Sequence, residues 1–178
     1  IHARQDRSHR QYLKGHIISK DKAFMSYRIN PNSLSQSISN SLLLMQEKFY
    51  NITLLEKNYV LNENNQIVIL DLSENQISNI EPLKNLKSLE SLYLYDNQIS
   101  NIEPLIELKS LTTLSLFSNQ ITDIEPLKGL KSLRLLYLDN NQISNIEPLI
   151  ELKSLVILGL FDNQIIDIKP LEELLALK

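Results

Sequence analysis

Five asparagines recur at intervals of 22 residues: Asn75, Asn97, Asn119, Asn141 and Asn163. Five prolines keep the same interval: Pro82, Pro104, Pro126, Pro148 and Pro170. Residues 67–88, 89–110, 111–132, 133–154 and 155–176 are therefore five units without insertions, sharing the pattern L-x-x-L-x-L-x-x-N-Q-I-x-x-I-x-P-L-x-x-L-K-S. A period of this length restricts the chain to a stack in which each unit buries its apolar face against its neighbours.

The parts of each unit follow from spacing. In LYLYDNQI, Leu92 and Leu94 alternate with Tyr93 and Tyr95, the period of a strand with one face inward. A single strand cannot bury its leucines, but strands stacked about 4.8 Å apart in a parallel sheet can. About 16 residues remain for the return to the next strand, too few for a long helix and two loops. The pattern predicts short 3-10 or extended turns instead, tightened by Pro104 and its equivalents, with Ile99, Ile102, Leu105 and Leu108 lining the inside. The repeated Asn lies where the chain turns off the strand. There a buried side-chain amide can pair backbone groups that the turn leaves over, which makes the Asn row scaffold.

Units such as LTTLSLFSNQITDIEPLKGLKS resemble the leucine-rich repeat family in its 22-residue form. They are similar to the internalin-type repeats of bacterial surface and secreted proteins, and also to repeats of the regulatory subunit of protein phosphatase 1. The resemblance implies an α/β-type solenoid: a right-handed curved stack with a parallel concave sheet, short 3-10 or extended convex segments and a helical N-terminal cap. It also implies recognition of proteins through the concave surface and, on the internalin side, a secreted or cell-surface location.

The N-terminal third differs. Residues 1–60 hold nine Lys/Arg against four Asp/Glu, a net of +5, whereas the remainder holds 9 against 17, a net of −8. Residues 1–30 read as a basic, poorly ordered segment. Residues 31–66 read as a helical cap and lead-in, because Leu34, Ile38, Leu42, Met45 and Phe49 form an apolar stripe after the Asn30-Pro31 break. At the other end, LEELLALK carries no polar cap, so this end is expected to be frayed, self-associated or continued by further sequence.

Little chemistry is encoded. There is no cysteine, and the units contain no histidine, no glycine-rich phosphate loop and no serine elbow. His2, His9 and His16 are two helical turns apart, about 10.5 Å in a helix and too far for one metal. The reading is a non-catalytic chain with no cofactor and no metal. An overall charge of −3 gives no reason to expect nucleic acid, and no apolar run reaches the length of a membrane span.

Function is instead suggested by the strand positions that face away from the leucines. Four residues before each Asn stand Asp71, Tyr93, Ser115, Tyr137 and Gly159; two before stand Ser73, Tyr95, Phe117, Asp139 and Phe161. All five aromatic residues of 67–176 fall in these two columns. Tyr93, Tyr95, Phe117, Tyr137 and Phe161, with Asp96, Asp139 and Asp162 on the rim, are therefore the expected contacts for a protein or peptide partner. The alternative is an intracellular scaffold or regulatory subunit that modulates an enzyme such as a phosphatase.

Overall fold

The structure, a computed structural model, describes residues 58–177; the expected basic segment 1–30 and the expected helix over residues 34–49 lie outside these. Six strands form one sheet in chain order: β1 (Tyr59–Leu61), β2 (Ile67–Asp71), β3 (Ser91–Tyr93), β4 (Thr113–Ser115), β5 (Leu135–Tyr137) and β6 (Ile157–Gly159). From β2 onward every pairing is parallel, and the register never shifts. Leu70, Leu92, Leu114, Leu136 and Leu158 are aligned, as are Asp71, Tyr93, Ser115, Tyr137 and Gly159. One repeat is one strand step.

Within the described part of the lead-in, residues 59–66 are not helical. β1 pairs antiparallel with β2, and Asn62, Glu63, Asn64 and Asn65 turn the chain between them. The Asn62 carboxamide oxygen accepts the N–H groups of Asn64 and Gln66, both at 3.0 Å, and Asn65 takes a left-handed φ of 58°. Asparagines suit such a turn because they tolerate positive φ and their side chains bond the local backbone.

The leucines of each strand and the isoleucines and leucines of each return arc make one continuous core. Leu92, Leu94, Ile99, Ile102, Leu105 and Leu108, for example, are all at most 1% exposed. Each return contains a 3-10 turn: Glu81–Asn85, Glu103–Leu105, Glu125–Leu127, Glu147–Glu151 and Lys169–Glu173. Proline occupies the first turn of each, where a missing N–H costs nothing. The residue two before each turn start caps it: Asn79, Asn101, Asp123, Asn145 and Asp167 each accept the following turn's first N–H at 2.9 Å. Sequence reading did not assign this second polar column, although its Asn/Asp restriction is visible.

The Asn row is the scaffold that its position predicts. The Asn119 carboxamide oxygen accepts the Ile99 N–H at 2.9 Å, from the preceding coil. Its Nδ2 donates to Leu94 O at 2.9 Å and Leu116 O at 3.0 Å, tying two coils together. Asn97, Asn141 and Asn163 repeat the arrangement. Asn75 does not: its Nδ2 donates only to Ser73 O at 2.7 Å, because the element before it is a hairpin strand rather than a repeat.

Candidate functional site

The face of the sheet opposite the leucine core carries the two residue columns singled out above. Tyr93, Ser115, Tyr137 and Gly159 lie side by side across β3 to β6. Tyr95, Phe117, Asp139 and Phe161 follow two residues later, where the chain leaves each strand. None of the five rings belongs to the leucine core, so the alternation correctly separates the two faces.

The expectation that these rings are exposed is corrected. Tyr93, Tyr95, Phe117 and Tyr137 are 9%, 6%, 2% and 3% exposed, and Ser115 between the two tyrosines is fully buried. Adjacent parallel strands place equivalent side chains about 4.8 Å apart, which is the contact distance of flat rings. Tyr95 and Phe117 accordingly stack, with centroids 4.7 Å apart and planes 4° from parallel. The rings of coils two to four thus form a second buried layer rather than a display of separate anchors. Phe161, in the last coil, is 54% exposed. It is the one ring of the five that is open to solvent.

The acidic residues have distinct positions. Asp96 and Asp162 occupy the position immediately before the repeated Asn, together with Glu74, Ser118 and Asn140, and all five have φ between 52° and 62°. Their turn requires the left-handed region, which short polar residues enter most readily among those with a Cβ. Asp162 is exposed and Asp96 half-buried. Asp139 is not the exposed rim charge that was expected. It is 8% exposed, and its Oδ1 accepts the Phe161 N–H of the next coil at 2.9 Å. Gly159 makes this possible, because a Cβ there would lie 2.1 Å from Asp139 Oδ2.

At the opposite end of the face, burial and the nearby carboxylates of Asp71, Glu74 and Asp96 push the Tyr95 hydroxyl up to about 12, and the Ser73 hydroxyl offsets this only in part. Tyr95 is therefore a neutral hydroxyl at any physiological pH.

The back of the stack offers no comparable arrangement. A shallow, open depression there is lined by Asn101, Glu103, Ile106, Lys109, Asp123, Glu125, Pro126 and Gly129. Its Asn101 and Asp123 side chains cap the adjoining 3-10 turns. Glu125 pairs with Lys128 at 3.3 Å at the exposed surface, an interaction that contributes little to stability. Among the described residues, no group of His, Cys, Asp or Glu could hold a metal ion, and no helix is long and apolar enough to cross a membrane.

At the far end of the stack, the last coil leaves Leu158, Leu160, Ile165 and Leu171 only partly buried. Ile166, Ile168 and Leu175 are 96%, 66% and 93% exposed. The apolar character expected of this end is present.

The family model described as leucine-rich repeats, two copies, matches residues 65–107 and 109–151. Internalin C2 from Listeria monocytogenes is similar, with 46% identity and a TM-score of 0.60 over 61% of this chain and 48% of that one. Internalin F from the same organism has 40% identity and a TM-score of 0.59 over 60% of this chain and 31% of that one. The chain therefore spans about half of one internalin structure and under a third of the other. A plant ice-binding protein shares the fold, with a TM-score of 0.62 at 20% identity over 77% of this chain and 50% of that one. No curated protein sequence gives a match. Domains built of these repeats are in general non-catalytic and mediate contacts between proteins.

Proposed function

From the premise that residues 65–107 and 109–151 are leucine-rich repeats, similar in structure to those of bacterial internalins, we propose that this chain recognises a protein or peptide partner through the sheet face opposite its leucine core. The observation that carries this reading is the position of the rings. Five aromatic side chains stand on that face, outside the core, in a chain whose return arcs contain none. Large rigid side chains are what protein contacts use. The carboxylates of Glu74, Asp96 and Asp162 add a negative margin to the same face.

Burial divides the proposed residues into two roles. Tyr93, Tyr95, Phe117 and Tyr137 form a rigid floor, whereas Phe161 and Asp162 are accessible to a partner. A pre-organised floor reduces the ordering cost of association.

A photo-crosslinking amino acid placed singly at position 161, on the sheet face, or at 106, on the back of the stack, tests the proposal. Incubated with protein from the native source, the position-161 protein should give a discrete adduct that unlabelled wild-type chain competes away. Competed adducts at position 106 with none at 161 would place recognition on the other side.

A further inference from the structure

We propose that the coil 155–176 docks a second copy of this chain about a twofold axis, so that the sheet continues from β6 of one copy into β6 of the other. The inference is independent of what the sheet face recognises. It is carried by three places where this coil departs from the repeat.

Ser78, Ser100, Thr122 and Ser144 form one exposed column, and its last member is Ile166, 96% exposed. Lys87, Lys109, Lys131 and Lys153 form another, and its last member is Leu175, 93% exposed. Both columns face solvent even between stacked coils, so a further coil of the same pattern would cover neither apolar side chain. Exposed apolar residues set against the pattern in this way mark a contact. The third departure is a reversal of charge. Glu81 and Glu125 pair with Lys84 and Lys128 in their 3-10 turns, whereas the last turn has Lys169 and Glu172 at those positions.

The departures are symmetric. Ile166 and Leu175 are equally far from the Pro170–Leu171 bond, and so are Lys169 and Glu172. Where two return arcs cross antiparallel about a twofold axis, residues symmetric about one point face each other. One axis through that bond therefore sets Ile166 against Leu175 of the second copy and Lys169 against its Glu172, each contact occurring twice. Apolar meets apolar and cation meets carboxylate, the self-complementarity that an isologous interface needs. Ile168 lies inside this contact; it is 66% exposed, whereas Ile80, Ile102, Ile124 and Ile146 are 1% exposed. On the sheet side, the same axis lays the two β6 strands antiparallel, edge to edge. The Leu94, Leu116 and Leu138 N–H groups each donate to the following coil, at 2.8, 2.8 and 2.9 Å. The Leu160 N–H is the equivalent donor at the β6 edge, and pairing with a second edge strand takes it up.

Sedimentation equilibrium of the full chain should show a monomer–dimer equilibrium. Ile166→Ser combined with Leu175→Lys restores the residues of the other coils; it should leave the circular dichroism spectrum unchanged and the chain monomeric over the same concentrations. Lys169→Glu should weaken the dimer about fivefold, the size of an exposed ion pair, and Glu172→Lys likewise. The two together should restore it, because opposite charges again face each other. The chain has no cysteine, so single cysteines report the axis directly. Under mild oxidation, a mixture of Ile166→Cys and Leu175→Cys chains should form the mixed disulfide faster than either variant alone forms its own. A monomeric wild type, a dimer that survives the Ile166→Ser/Leu175→Lys change, or disulfides formed as readily between like positions would each overturn the proposal.

Discussion

Tyr95 and Phe117 lie one repeat apart in sequence and stack ring on ring, 4.7 Å between centroids and 4° from parallel. The 22-residue period therefore positions rings on the outer face as regularly as it positions leucines in the core. Phe117 is only 2% exposed, so Phe117→Ala should destabilise the chain by about 3 kcal/mol, as for a buried ring in a core. Phe161→Ala, at an exposed position, should change stability by no more than about 0.5 kcal/mol. Matched urea denaturation of the two variants checks this, and similar midpoints would mean that the Phe117 ring is not part of a packed layer.

The Asn ladder gives a second stability prediction. Asn119→Ala leaves the Ile99 N–H and two backbone carbonyls without their side-chain partner, at a cost of about 1–3 kcal/mol. Asn75→Ala should cost less, since Asn75 is exposed and its side chain bonds only within its own turn. The exposed neighbour Gln120→Ala serves as control. Equal denaturation midpoints for Asn119→Ala and Gln120→Ala would contradict the scaffold role.

Asp96, on the margin of the proposed face, has a left-handed φ of 52°. Asp96→Gly and Asp96→Asn should leave the melting temperature nearly unchanged. Asp96→Val should destabilise by about 1–2 kcal/mol, because a β-branched residue pays the full steric cost of that conformation. Equal melting temperatures for the Gly and Val variants would show that the turn does not hold this backbone geometry.

The Tyr95 hydroxyl predicts an alkaline limit. Burial and the Asp71, Glu74 and Asp96 carboxylates raise it from 10.0 to about 12 in the folded chain. The folded state thus keeps a proton that the unfolded state releases, so this contribution to stability is complete below pH 10 and is lost as pH rises from 10 to about 12. Absorbance titration of tyrosinate should show a late-ionising step that is missing in Tyr95→Phe, and the variant's midpoint should fall less steeply over that window. A tyrosinate titration that loses an ordinary, early step in the variant would contradict the burial of Tyr95.

The strands, the 3-10 returns and the Asn ladder were legible in the sequence because each is a property of a single coil that stacking repeats unchanged. Leu92, Asn97 and Pro104 each do the same work as their counterparts in the other coils, Asn75 excepted. The antiparallel strand Tyr59–Leu61 was not legible, since it precedes the first copy and has no equivalent to compare. Alternation showed which way Tyr93 and Tyr95 point, but not that they are buried, because period two reports a direction and not what surrounds it. Asp96 and Asp162 were read as rim charges. The restriction of their column to Glu, Asp, Ser and Asn was the available sign of a left-handed turn. Asp139 was misread for a related reason: its bond to the Phe161 N–H depends on Gly159 in the next strand, a relation between columns rather than within one.

Hydrogen–deuterium exchange of the full chain, with and without the partner recovered through the position-161 adduct, tests the central claim most directly. Partner binding should protect residues 135–139 and 157–162 on the sheet face, and leave the return arcs at 101–107 and 123–129 unchanged. Protection confined to those arcs, with the sheet face exchanging as in the free chain, would contradict recognition through the face that carries the rings.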